Sequence, residues 1–130
     1  MIVLTLRTDK PEAEIALYDS GKIIAQEAWL AHRKLAETIH IKIEELLNGR
    51  QKGWENLSGI VVFEGPGSFT GLRIGASTAN AIAYSLHIPI VAMRDDDWAE
   101  KGVERLLAGE QDEIALPFYG GEANITTPRK

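Results

Sequence analysis

The sequence predicts an α/β domain with a mixed five-stranded sheet and helices on its faces. Three observations carry that expectation. The chain opens with three short alternating segments joined by polar turns. It then switches to apolar residues at 3–4 spacing. Finally, two apolar runs are each followed by a helical pattern, which is how parallel strands are connected. The order β-β-β-α-β-α-β-α is an antiparallel meander feeding parallel strands.

Ile2, Val3, Leu4 and Leu6 make the first strand, rich in β-branched residues. Asp9-Lys10-Pro11-Glu12 is a polar turn, and Ala13 to Tyr18 alternates as a second strand. Asp19-Ser20-Gly21-Lys22 is a hairpin turn into a third strand, Lys22 to Leu30. A helix is predicted from about Arg33 to Leu47, where Leu35, Ile39, Ile43, Leu46 and Leu47 form one apolar stripe. Asn48-Gly49 stops it. After a polar loop containing Trp54, a fourth strand runs from Gly59 to Phe63. A glycine-rich loop and a second helix follow. His87-Ile88-Pro89 breaks that helix, and Pro89 heads a fifth strand, Ile90 to Met93. Asp95-Asp96-Asp97 opens a third helix, Trp98 to Leu107, with acids at its positive end. Glu113 to Leu116 is read as a last short strand. Residues 1–116 form the domain, and 117–130 read as a polar tail.

A chain of 130 residues, 45% hydrophobic and 25% charged, suits one globular domain. A net charge of -5 argues against a stand-alone nucleic-acid binder, so no direct nucleic-acid binding is expected of the chain alone. Arg129-Lys130 is a small basic cluster in the tail. With no cysteine, disulfides, thiolate nucleophiles and cysteine zinc sites are excluded. No apolar run approaches the ~20 residues of a membrane span. The expectation is a cytoplasmic, soluble protein with no membrane contact.

The most distinctive string is Gly65-Pro66-Gly67-Ser68-Phe69-Thr70-Gly71-Leu72-Arg73-Ile74-Gly75. Glycines and proline impose a tight turn, with Gly67 or Gly71 expected at positive φ. Ser68 and Thr70 are natural helix N-caps. An anion site is the other reading, because helix N-termini attract phosphate. Three phosphate or nucleophile motifs fail here. The loop lacks Gly-Lys-Ser/Thr, its glycine spacing misses the dinucleotide fingerprint by one residue, and Pro66 stands where a nucleophile elbow needs glycine.

This string, after an apolar strand, resembles the signature of the TsaB (YeaZ) family. Leu35-Ala36-Glu37-Thr38-Ile39 with Ile43-Glu44-Glu45-Leu46-Leu47 is similar to that family's first long helix, and Ile88-Pro89-Ile90-Val91 to the strand after its signature helix. The resemblance covers about residues 1 to 108, the first half of a usual two-domain member. It implies one lobe of a ribonuclease-H-like, actin-type (ASKHA) fold. It also implies a non-catalytic subunit of the bacterial machinery that makes threonylcarbamoyladenosine in tRNA. The implied partners are a TsaD-like catalytic paralogue and a TsaE-like ATPase, with ATP and metal on those subunits and no cofactor on this one. Two alternatives stay open: a degenerate actin-type ATPase or peptidase acting on its paralogue, and a self-associating homodimer with no TsaD role.

The candidate chemistry is sparse. Arg7-Thr8-Asp9-Lys10 stands where the family usually has an acidic Asp-Thr-Ser turn, and a guanidinium cannot ligate Mg²⁺. His32, His40 and His87 are scattered, and Leu35 stands where family members often carry histidine. His40 is expected as a partly buried structural residue. Asp95-Asp96-Asp97 reads as capping rather than metal binding, and Glu64 as a partner for Arg73. No catalytic, cofactor or metal residue is assigned. The second helix has no charged side chain after Arg73. On a wheel Leu72, Ala76, Ala79, Ala83 and Leu86 share one face, with Ile74, Ala81 and Ile82 expected on the other. Gly75, Ala79 and Ala83 recur every four residues. Burial inside the domain and contact with a partner both fit. The resemblance implies the partner, through Leu35, Ile39 and Ile41 of the first helix and Leu72, Ile74, Gly75, Ala76, Ala79, Ile82 and Ala83 of the second.

Overall fold

A computed structural model describes residues 1–119. The strands are β1 (Ile2–Arg7), β2 (Glu12–Asp19), β3 (Lys22–Leu30), β4 (Leu57–Phe63) and β5 (Ile90–Met93). The helices are α1 (Leu35–Asn48), α2 (Phe69–Leu86) and α3 (Trp98–Leu107). The sheet order is β3-β2-β1-β4-β5, with β1 antiparallel to β2 and parallel to β4, and β4 parallel to β5.

The central position of β1 explains why its residues are apolar on both sides. Leu4 and Leu6 join Ile15, Leu17, Ile60 and Val62 beneath α1 and α2, while Val3 faces the α3 side with Tyr18, Val61, Phe63 and Val91. Helix α1 contributes Leu35, Ile39, Ile43 and Leu47 to the first core, and α3 contributes Trp98, Val103 and Leu106 to the second. Each such side chain adds about 1.5–3 kcal/mol by leaving water. Among the described residues no helix is long and apolar enough to cross a membrane.

Three local expectations change. Strand β4 starts at Leu57, straight after a 3-10 turn, Trp54–Asn56. Glu113 to Leu116 is not a strand: a single bridge joins Ile90 to Asp112 and pairing stops there. The reason lies at the β5 edge, where the Asp112 carboxylate accepts the Ala92 N–H at 2.8 Å in place of a backbone partner. The segment beyond runs along α2, and Asn80 binds both the N–H and the carbonyl of Ala115 at 2.9 Å. The predicted tail begins tied down, because the Phe118 N–H donates to the Glu64 carbonyl at 2.6 Å. Its remainder, with Arg129-Lys130, lies outside the described residues.

Candidate functional site

Two loops meet where β1 and β4 end. The turn after β1 is held by its own ion pair: Arg7 Nε donates to Asp9 Oδ1 at 2.8 Å and Arg7 Nη2 to Asp9 Oδ2 at 3.1 Å. The guanidinium also lies 4.0 Å from the Phe63 ring centre. Its pKa is raised, first by the Asp9 hydrogen bond, against partial burial, and then by the charges of Asp9, Glu14 and Asp96. Asp9, the acid of this turn, is thus buried and paired with a cation.

The glycine loop packs against this turn. The Ser68 N–H donates to the Asp9 carbonyl at 2.9 Å, and the Thr8 hydroxyl donates to the Gly71 carbonyl at 2.7 Å. A Cβ on Gly67 would strike Asp9; on Gly71, the Thr8 carbonyl; on Gly75, the Thr8 hydroxyl. The four-residue glycine spacing is therefore a groove for the Thr8–Asp9 backbone. That corrects the expectation of positive φ at Gly67 or Gly71, since the positive angle belongs to Gly65 at 124°. Pro66 follows Gly65 on the exposed outside of the loop. Ser68 is the N-cap, its hydroxyl accepting the Gly71 N–H at 3.4 Å, whereas Thr70 lies within the helix.

Other assignments also move. Glu64 pairs with Arg94 at 2.5 Å rather than with Arg73. Arg73 is exposed, over the Phe69 ring. Asp97 occupies the N-cap position of α3 without a side-chain capping bond, so the three aspartates act there only through charge. His40 is exposed, not partly buried, and His87 ends α2 in the left-handed region at φ 57°. His32 sits in the 3-10 turn His32–Lys34. Among the described residues no three His, Cys, Asp or Glu side chains converge on a point that could hold a metal.

The expected interface set divides sharply. Leu35, Ile39, Leu72, Ala76, Ala79, Ile82 and Ala83 are buried in the chain's own core, and Gly75 is pressed on Thr8. Ile82 lies on the Ala79 face, not opposite it. The small residues serve a close approach of α2 to β1, β4 and the Thr8 turn, so they are not free to face a partner. Ile41 remains 55% exposed on α1. Ile74 is half-buried in a groove between α1 and α2, about 400 Å³, lined also by Ala36, His40, Thr70, Arg73, Ser77 and Thr78. Sequence reasoning missed Tyr84, which stands 81% exposed on α2. Its place one turn from exposed Ala81 and two turns from exposed Ser77, with no charged residue between, was the available signal.

The profile of the family described as TsaD, tRNA N6-adenosine threonylcarbamoyltransferase, matches residues 27–98. The chain belongs to the TsaD family. Among curated relatives, the tRNA threonylcarbamoyladenosine biosynthesis protein TsaB of Bacillus subtilis is 36% identical over 93 residues, covering 72% of this chain and 41% of that protein. A tRNA N6-adenosine threonylcarbamoyltransferase of Geotalea uraniireducens is 42% identical over 141 aligned positions, covering 96% of this chain and 41% of that protein. Among solved structures, YeaZ from Pseudomonas aeruginosa superposes with a TM-score of 0.67 at 26% identity, over 72% of this chain and 44% of that one. Thermus thermophilus RuvC, at 14% identity and a TM-score of 0.53 over 85% of this chain and 70% of that one, shares the fold alone. The resemblance to TsaB (YeaZ) and the ribonuclease-H-like, actin-type architecture both hold for this member of the TsaD family. The chain spans less than half the length of the curated relatives quoted.

Proposed function

We propose that this chain is a non-catalytic scaffold in tRNA threonylcarbamoyladenosine synthesis that docks a TsaD-like catalytic paralogue on the outer side of α1 and α2. One observation carries the docking surface. The outward face of α2 shows Ser77, Ala81 and Tyr84 to solvent with no charged side chain between them, beside the groove holding Ile74 and His40, with Arg73 at one end of this face. An uncharged crest with one large, exposed aromatic suits the buried centre of an interface. The contact moves outward from the small-residue ridge to Ile41, His40, Ile74, Ser77 and Tyr84.

The non-catalytic reading is supported by Arg7. Its guanidinium holds the Asp9 carboxylate in a two-pronged pair, so that carboxylate is not free to ligate Mg²⁺. ATP and metal are assigned to the partner subunits, including any TsaE-like ATPase. Co-purification with the TsaD of the same organism tests the docking, and calorimetry with Mg-ATP tests the rest. A stoichiometric complex and no heat of Mg-ATP binding are expected. Micromolar Mg-ATP binding to the isolated chain would restore the ATPase alternative. Self-association with no TsaD complex would restore the homodimer.

A further inference from the structure

The chain is acidic overall, yet one end of α2 is locally cationic. Helix α2 has no acidic residue in its first turn, whereas α1 and α3 carry Glu37 and Glu100 there. Two carboxylates beside the glycine loop are already paired, Glu64 with Arg94 and Asp9 with Arg7, while Glu14 and Asp96 lie close enough to act on Arg7 as well. Arg73 and Lys10 take part in none of the ion pairs among the described residues. Lys10 leaves the turn directly after Asp9, whose carbonyl is bonded to Ser68 at the start of α2.

Beside these cations, aromatic rings stand at the surface. Phe69 is 56% exposed, although burying a phenylalanine is worth about 1.5–3 kcal/mol. Its ring centre lies 4.7 Å from that of Tyr119, tilted by 33°, and the Arg73 guanidinium lies 5.4 Å from it. On the neighbouring strap Arg94 covers the Phe118 ring at 3.6 Å. Exposed rings interleaved with unneutralised cations are the chemistry that holds single-stranded nucleic acid: a base stacks on the ring and the cation takes the phosphate.

We propose that this edge, Phe69 and Tyr119 with Arg73 and Lys10, is a platform for single-stranded RNA. One unpaired base stacks at the Phe69–Tyr119 pair, while Arg73 and Lys10 meet the flanking phosphates. The choice of RNA rests on the proposed role in tRNA modification; the platform rests on its geometry. It refines the expectation drawn from net charge, because stacking and two local cations act over one corner of the surface, not over the whole chain. Binding of the isolated chain is therefore weak and steeply salt-dependent.

The test is fluorescence anisotropy of a labelled oligouridine strand with the full chain at low salt. Phe69→Ala and Lys10→Glu lie outside the α1–α2 groove, and Leu107→Ala, exposed on α3, is the control. The expected result is saturable binding, weakened about tenfold by Phe69→Ala. Lys10→Glu should reduce the salt slope, Leu107→Ala should change nothing, and all three variants should keep the wild-type circular dichroism. No binding at low salt, or binding that both variants leave untouched, overturns the platform. So does retention of RNA binding with loss of TsaD co-purification, which would make the patch a protein contact. If RNA binds and TsaD does not, only the docking proposal fails.

Discussion

The two faces of α2 differ in what they touch, although their residues look alike in sequence. The inner face, Leu72, Gly75, Ala76, Ala79, Ile82 and Ala83, is buried against β1, β4 and the Thr8–Asp9 turn. The outer face, Ser77, Ala81 and Tyr84, is as free of charge and lies open. A helix without charge after Arg73 reports that both sides of that stretch avoid ionic groups. It does not say which side is satisfied within the domain. Small residues mark the inner side because backbone approaches there, and a large aromatic marks the outer side because nothing among the described residues covers it.

The largest expected effect comes from attacking the inner face. Ala79→Glu places a carboxylate at a fully buried position with no cation to receive it, which costs several kcal/mol. Loss of cooperative thermal unfolding by circular dichroism is the expected result. A variant that melts like wild type would mean that Ala79 is accessible and the inner face is misassigned. Gly75→Val comes next, because its Cβ would occupy the position of the Thr8 hydroxyl. A loss of about 3 kcal/mol in urea denaturation is expected. Preserved stability would show that the Thr8 turn can step aside.

Arg7→Ala probes the turn itself. It leaves Asp9 buried without its guanidinium, and since Arg7 is partly exposed the loss should be about 2 kcal/mol. Arg7→Lys should recover only part of it, because an ammonium cannot form the two-pronged bond. Equal stability of Ala and wild type would reduce the pair to a surface contact.

A smaller effect is pH-dependent and lies at the strap beside α2. Burial pushes the Asp112 carboxyl up, but the Arg105 hydrogen bond, the Ala92 N–H and the Arg105 charge together carry it below the usual carboxylate value. A lowered folded pKa stabilises fully above the unfolded value, and that stability is lost as pH falls through the folded one. Against Asp112→Asn, wild type should therefore lose its melting advantage below about pH 4. An advantage that persists into stronger acid would place the stabilisation elsewhere.

Most of the architecture was legible. The strands of the meander showed period two, the stripe of α1 showed period 3.6, and the turns carried their glycines, prolines and aspartates. The candidate site was less so. The contact of Gly67, Gly71 and Gly75 with Thr8 and Asp9 joins residues some sixty positions apart, which no local pattern encodes. The Arg7–Asp9 pair was closer to hand, since residues i and i+2 of an extended segment share a side. Glu64 was given to Arg73 by proximity in sequence, yet β5 delivers Arg94 to it across the sheet. Assigning the α2 ridge to a partner failed for the same reason: its true neighbour is the chain's own first turn.

The most direct measurement is calorimetric titration of the same organism's TsaD with wild type, Tyr84→Asp and Ile41→Asp. Both positions are solvent-exposed, so folding should survive within about 0.5 kcal/mol. The account predicts intact circular dichroism and a complex weakened at least about tenfold by Tyr84→Asp, with a lesser loss for Ile41→Asp. Wild-type affinity in both folded variants would contradict it.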